Sequence, residues 1–482
     1  MKKIKKLASV VLALIMVLAM ALPVGATGTG TETPNGSITI EKAKAGYTYT
    51  IYEILKLESY NQESKAYSYK ATSDWNGFIN SEKIKDIYVT VDSQGYVTWK
   101  DGASVADFAK LAQKHAADNG IGNQGSKKAE GAIVEFTGLE LGYYLLDSDM
   151  GTLCSLDTTQ PNATIKEKND EPTLEKEVKE GNSWGNVADA ERGKEVEFRV
   201  TITAKDGAQK YVMHDKMDAG LSFIKTSVEV TLEKASNPGN PETVTGEENY
   251  TVTEGVAGCT FHVEFTEDFC DKLAKEDKIV VSYRAMVNKE AFLSDHGVNE
   301  AWLKYGEDSS FNTEHKTVKV NTWQVPFFKY YVKSENGETK EVGLSGAKFK
   351  LYRDEEATDE VIFDTRATAE QEGIAGVPLY RVNPEGTVKE ITTENNGRFV
   401  LRGLDSGTYY LKETEAPTGY NKLSGIVKIV ISADGTVEYT YGGTTSTADG
   451  TIGVKIENKT GSLLPETGGI GTTIFYVVGG IL

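Results

Sequence analysis

Cysteine, histidine and proline are scarce in this 482-residue chain, which holds three, five and eleven of them. Three cysteines (Cys154, Cys259, Cys270) are too few and too scattered for a disulfide framework. Cys259 and Cys270 can pair only if two strands bring them together, and free buried thiols fit the sequence at least as well. The histidines (His115, His214, His262, His296, His315) show neither metal-ligand spacing nor a Ser/His/Asp arrangement. No P-loop occurs, and the sequence points to no metal and no cofactor. Asp147-Ser148-Asp149 offers carboxylates to a cation, but a plain turn is the simpler reading. Positive charge is also short: 52 Lys and Arg face 71 Asp and Glu, a net charge of −19. That balance argues against nucleic acid and anionic membrane surfaces as partners. Any covalent bracing must come from something other than disulfides.

The two ends carry what apolar runs there are. Met1 to Ala26 has a basic start (Lys2, Lys3, Lys5, Lys6), an apolar core from Leu7 to Leu22, and Val24-Gly25-Ala26 as a small-residue cleavage site. This is the pattern of a secretory signal cleaved after Ala26, with a retained transmembrane anchor as the alternative. At the other end, Leu464-Pro465-Glu466-Thr467-Gly468 precedes an apolar run from Ile474 to Leu482. These five residues resemble the LPXTG sorting signal of Gram-positive surface proteins, which a membrane-bound sortase cleaves between threonine and glycine, here Thr467 and Gly468. The apolar run has nine residues, whereas a spanning helix needs about twenty, and no Lys/Arg tail closes it. The expectation is that the anchor continues beyond Leu482.

Between the ends the chain is long enough for about three domains. After a Gly/Thr/Asn-rich leader, strands are expected at Ser37 to Ile40, Tyr47 to Leu55, Ala132 to Phe136 and Tyr143 to Leu146. A helix is expected from Asp107 to Asp118, with Phe108, Leu111 and Ala112 on one face. Further on, Val196, Phe198, Val200 and Ile202 alternate, as do Ile279, Val281, Tyr283 and Ala285, the signature of half-buried strands. A short helix is expected at Glu267 to Ala274. The last third repeats the style at Phe349 to Leu351, Tyr409 to Leu411 and Val427 to Ile431. The fold class is mainly β: tandem immunoglobulin-like β-sandwich domains, antiparallel, with a small helical content. The expected units are 1–26 (signal peptide), 27–170 (N-terminal domain), 171–320 and 321–461 (two further β-sandwiches) and 462–482 (sorting signal).

Strand parity places costly residues inward. Lys329 shares a face with Val325, Phe327 and Tyr331; Glu413 with Tyr409 and Leu411; Asn458 with Ile452, Val454 and Ile456. Lys176 lies with Leu174 and Val178, Asp215 with Tyr211, Met213 and Met217, and Asn299 with Ala301, Leu303 and Tyr305. Isolated buried polar groups are expensive, so each set is expected to meet. Burial favours a neutral amine and a protonated carboxylic acid, the forms needed for an amine to attack an amide.

Family resemblance gives these sets a name. Tyr409-Tyr410-Leu411-Lys412-Glu413-Thr414-Glu415-Ala416-Pro417-Thr418-Gly419-Tyr420 resembles the E box, YxLxETxAPxGY, of collagen-adhesin B-type domains in Gram-positive pilins, and Gly343 to Phe349 resembles their L-x-G-A-x-F strand. The resemblance implies an intramolecular isopeptide bond from Lys329 to Asn458 assisted by Glu413. Pro172 to Val178, His214 to Phe223 and Val298 to Tyr305 resemble the opening, D-x-x-x-x-G-L-x-F and closing segments of the A-type pilin domain. They imply a bond from Lys176 to Asn299 assisted by Asp215. The paired residues lie 123 and 129 positions apart, tying first strand to last. In the N-terminal domain Tyr143, Leu145 and Asp147 repeat the Y-x-L-x-acid spacing and Lys42 is expected to face inward with Ile38 and Ile40, but no closing asparagine is in register.

In sortase-assembled pilin backbones the threonine of one subunit joins a lysine of a YPK-type motif in the next. Ala163 to Asn169 holds Lys168-Asn169 where the K-N belongs, with Lys166 and Glu167 in place of Tyr and Pro. Lys168 is the candidate nucleophile, and an exposed charged linker is the plain alternative. The implied function is a structural backbone pilin, not an enzyme except toward itself. Its implied partners are sortase, further copies of itself, peptidoglycan and other pilins, and its implied place is a cell-wall-anchored surface fimbria. An ancillary tip or base pilin, or a wall-anchored adhesin, is the alternative, and a wall-anchored enzyme is disfavoured because no other catalytic constellation occurs.

Overall fold

Alternation with period two governs most of the chain. Glu195–Thr203 alternates strictly between buried and half-exposed positions over Val196, Phe198, Val200 and Ile202, and Lys278–Val287 does the same over Ile279 to Val287. Such strands must cover one face, and in the computed structural model they do so by stacking sheets in pairs. The model describes residues 36–61, 66–148, 151–153, 162–166, 170–205, 209–292, 297–306, 311–364, 377–394 and 396–461. The signal segment 1–26, Leu464 to Gly468, Lys168, Cys154, His296 and Asp149 lie outside them. Among the described residues no helix is long and apolar enough to cross a membrane.

The first pair of sheets holds a three-stranded sheet ordered Asn162–Lys166, Gly36–Glu41, Ile133–Leu139, and a larger one centred on Thr48–Asn61 and Gly142–Ser148. The helix Val105–Asn119 closes one end. Ser104 caps it, its hydroxyl accepting from Asp107 N–H at 3.2 Å, and Gly120 ends it with φ +59°. Phe108, Ala109, Ala112 and Ala116 pack with Trp75, Phe78 and Leu145, and Leu111 is only half-buried.

The second pair comprises a six-stranded sheet, in the order Ser183–Gly185, Thr173–Glu180, Glu195–Thr203, Lys278–Val287, Leu221–Glu233, Glu242–Val244, and a seven-stranded sheet. The core path of the latter runs Lys316–Asn321, Val298–Tyr305, Val212–Met217, Phe261–Phe265, Tyr250–Glu254. The third pair joins a sheet built on Trp323–Glu335 and Arg398–Leu404 to one built on Lys348–Tyr352, Gly407–Glu415 and Val427–Ile431. Separate apolar clusters fill the second and third pairs, from Leu174 to Val320 and from Val325 to Ile456.

Four expectations are corrected. The sheets are not wholly antiparallel: Gly36–Glu41 runs parallel to Asn162–Lys166, Val187–Asp189 to Lys316–Asn321, Trp323–Glu335 to Val454–Glu457, and Leu379–Arg381 to Arg398–Leu404. Three of these pairs bring the last strand of a unit beside an early one, which local alternation does not encode. Lys42 does not face inward; its strand stops at Glu41, and Lys42 is exposed with φ +59°. The helix at Glu267 stops at Cys270 because Asp277 folds back, its carboxylate accepting from Ala274 N–H at 2.8 Å and Ala235 N–H at 2.9 Å. Finally, Val298–Tyr305 is not the closing strand of its unit, since Phe311–Asn312 and Lys316–Asn321 both follow and pair with it.

Consecutive units touch through specific contacts. Tyr47 stacks on Phe311 with ring centroids 3.9 Å apart, and its hydroxyl meets that of Tyr305 at 3.2 Å. Between the second and third, Arg353 grips buried Glu191 with two nitrogens at 2.6 and 3.2 Å, and Arg192 reaches the Asp364 carboxylate and Val382 O.

Candidate functional site

Lys329 sits in Trp323–Glu335, between Phe327 and Tyr331 on the inner face, and is 0% exposed. Its backbone is clamped on both sides, its N–H donating to Gly397 O at 2.7 Å and its carbonyl accepting from Leu344 N–H at 2.9 Å. Gly397 allows this approach, for a Cβ there would lie 2.0 Å from Lys329 O. The parallel neighbour Val454–Glu457 pairs Lys329 with Ile456, and just past its end Asn458 N–H donates to Tyr330 O at 2.9 Å. Asn458 is thereby fixed on the inner face at 1% exposure. Glu413, also 1% exposed, comes from Gly407–Glu415 in the facing sheet.

The three side chains meet. Glu413 lies 3.3 Å from Lys329 Nζ and accepts from Asn458 Nδ2 at 3.1 Å and from Leu423 N–H at 2.7 Å. Phe349 covers the ammonium, 5.6 Å from ring centre to Nζ. Burial outweighs the attraction of Glu413 and pushes the Lys329 amine down to about 8. Lys329 Nζ and Asn458 Oδ1 are buried with no hydrogen-bond partner.

The second set is built differently. Lys176 belongs to Thr173–Glu180 in the six-stranded sheet, whereas Asp215 and Asn299 belong to adjacent strands of the seven-stranded sheet. All three are buried, at 3%, 0% and 0% exposure. Lys176 Nζ lies 2.6 Å from Asp215 Oδ2, and burial pushes the lysine down and the aspartate up, each against the pull of the other. A fourth residue joins them. The Tyr283 hydroxyl accepts from Lys176 Nζ at 2.5 Å and from Asn299 Nδ2 at 3.2 Å, and donates to Asp215 Oδ2. Burial and the aspartate hold its phenol well above the ordinary range, so it remains a donor. The inward tyrosine was visible in the alternation of its strand, and an inward phenol needs a partner. Its strand neighbours gave no sign of which one.

Elsewhere, Asp147 lies in a strand rather than a turn, buried against Gln113, whose amide donates to it at 3.0 Å. Cys259 and Cys270 are free thiols, the latter within the core of the second unit. The histidines are not all dispersed: His214 and His262 stand directly opposite one another on adjacent strands, and with Cys259 their ligand atoms fall within 4.8 Å of one another.

Comparison with known proteins adds the following. Residues 332–445 match the SpaA family model, a prealbumin-like fold domain. No curated protein matches the chain. Among solved structures, the chain is similar to the T6 backbone pilin of Streptococcus pyogenes serotype M6, at 16% identity and TM-score 0.49 over 89% of this chain and 99% of that one. It is also similar to the full-length RrgB pilus protein of Streptococcus pneumoniae, at 14% and 0.46 over 91% and 100%. The full-length major pilin SpaD of Corynebacterium diphtheriae stands at 16% and 0.40 over 89% and 98%. The chain is thus a mainly β protein of stacked sheets with a SpaA-type prealbumin-like domain, and these structural neighbours are pilins of Gram-positive bacteria.

Proposed function

We propose that this chain is the structural backbone subunit of a covalent surface fimbria, braced by two isopeptide bonds formed by its own side chains. The observation that carries the reading is the meeting of Lys329, Glu413 and Asn458 in the buried core, where burial eases loss of the amine's proton beside an amide. Lys329 Nζ has only the 3.3 Å contact to Glu413, with no hydrogen bond of good geometry, and Asn458 Oδ1 is left bare. Unmet buried polar groups cost about 1–3 kcal/mol each. Condensation replaces a buried amine and a primary amide with one secondary amide.

The proposed step balances as follows. The neutral Lys329 Nζ attacks Asn458 Cγ, the amide C–N bond breaks, and the nitrogen leaves as ammonia carrying one proton from the amine. Glu413 lends and regains a proton and is unchanged. Asp215 fills that role for Lys176 and Asn299, with Tyr283 bridging amine, acid and amide. Polymerisation would join Thr467 to Lys168 of a second copy through a sortase. In sequence that lysine follows two residues after the strand Asn162–Lys166, which is parallel to the first strand of its unit. Cell-wall attachment would use the same sorting signal.

The test is the intact mass of the purified chain under reducing conditions. Two ammonias should be missing, and Glu413→Ala should restore one; the unmodified mass would leave the two sets as plain ion pairs and sink the bracing. In the parent bacterium, a ladder of covalent polymers that persists unchanged in Lys168→Ala would remove that lysine from the reading.

A further inference from the structure

On the outer face of the seven-stranded sheet, away from the isopeptide set, His214 of Val212–Met217 and His262 of Phe261–Phe265 form a directly opposed cross-strand pair. Their rings stand 5.5 Å apart at 90°. Cys259 enters from the turn that joins Tyr250–Glu254 to Phe261–Phe265. Gly258 there has φ +92°, a conformation glycine favours, and Cys259 N–H closes the turn on Val256 O at 3.1 Å. Cys259 Sγ lies 3.4 Å from His214 Nδ1, and one ligand atom from each of the three residues falls within 4.8 Å of the others. Tetrahedral zinc at its usual bond lengths sets N and S ligands about 3.6 Å apart, so the His214–Cys259 spacing is already suitable. His262 Nδ1 is buried with no hydrogen-bond partner, a ring nitrogen the protein itself leaves unused. Trp302 stacks on His214 at 5.1 Å and 7°, and His315 stacks on Trp302 at 4.6 Å. The stack holds the His214 ring in place.

We propose that His214, His262 and Cys259 form a binding site for a divalent zinc-like ion. Two imidazoles and one thiolate suit zinc, and three protein ligands leave a fourth position open to water or an outside donor. Binding displaces the thiol proton, so one proton is released per ion, with no change of oxidation state. The ion would pin the 259 turn onto the neighbouring Val212–Met217 strand.

Cobalt(II) in place of zinc gives a direct readout, because a thiolate-to-cobalt charge-transfer band appears only when sulfur is a ligand. Titration of the untagged, reduced full chain should produce that band at one cobalt per chain, and zinc should erase it. Cys259→Ser should abolish the band and Cys270→Ser should keep it. His262→Ala should weaken cobalt binding by at least about 100-fold, since even outer-shell partners account for 10–100-fold. Circular dichroism matching the parent chain establishes that each variant is folded. A band that survives Cys259→Ser, or no band at saturating cobalt, overturns the proposal.

Discussion

Tyr283 is the residue on which the second set turns. It touches Lys176, Asp215 and Asn299 at once, so it orients amine and amide together. Tyr283→Phe keeps the ring packing against Phe198 and Phe261 and removes only the hydroxyl. Loss of one positioned donor typically slows a reaction about 100-fold. Mass measured over time after refolding should show the Lys176–Asn299 ammonia leaving at least about tenfold more slowly, with the Lys329–Asn458 ammonia leaving on schedule. Equal rates for both would deny the hydroxyl any part. For Lys329 the test is pH. In Asn458→Ala the lysine stays an amine, pushed in the fold to about 8 from an ordinary 10.5. Between those values the unfolded chain binds more protons than the folded one, so stability rises as pH climbs from about 8 toward 10.5. Below 8 both states hold the proton and this residue adds no slope. A parent cross-linked as proposed would have no amine at that position, so the melting temperature of the variant relative to the parent should climb across this window; a constant difference would mean the amine is not held neutral.

At the scale of elements, the two proposed bonds would staple differently. Lys329 and Asn458 sit on parallel neighbours within one sheet, with the acid reaching across from the other. Lys176 and Asn299 face each other from opposite sheets, with the acid beside the asparagine. By analogy with disulfides, closing loops of 123 and 129 residues is worth roughly 5 kcal/mol each in the chain-entropy model. Load along the chain makes the difference visible. In the third unit tension would enter through the first residues of Trp323–Glu335, cross at Lys329 and leave through Asn458, bypassing nearly everything between. In the second unit it would cross at Asn299 and then run on through the 22 residues 300–321, including the Lys316–Asn321 strand. Stretching a cross-linked chain by its ends should therefore release at most about 75 Å from the second unit, against about 490 Å if Lys176 and Asn299 are unlinked. Single-molecule force extension distinguishes the two, and a step near the larger length in parent protein would count against the bond.

For the whole molecule, what matters is how the units abut. Glu191 of the second unit is buried at 3% exposure, and Arg353 of the third forms a two-nitrogen grip on it. Arg353→Ala leaves that carboxylate buried without its cation. With the arginine half-exposed, the loss should be on the order of 2 kcal/mol rather than the larger figure of a fully buried pair. Limited proteolysis should cut the variant near 321–323 at protease levels that spare the parent. Unchanged cleavage would show that the Arg192 contacts to Asp364 and Val382 O already hold the junction.

Strand parity is a local property with a period of two residues, and so the inward placement of Lys176, Asp215, Asn299, Lys329, Glu413 and Asn458 was legible from sequence alone, as was the mainly β class. The helix near Asp107 was legible through a local period of its own, the spacing of Phe108, Leu111 and Ala112, whereas its Ser104 cap was not read from the sequence. Where register and topology decide, local pattern is silent. Lys42 left its strand one residue after alternation ended, and Val298–Tyr305 read as a closing strand because nothing in its own residues records that Lys316–Asn321 will pair beside it. The grouping of Tyr283 with Lys176 depends on two strand pairings, and that of His214 with His262 and Cys259 on a register between strands some 45 residues apart. The sequence by itself determined which side chains point inward and which residue types the core must reconcile. Only the tertiary structure decided which of them meet, because contact across sheets is set by non-local hydrogen-bond register.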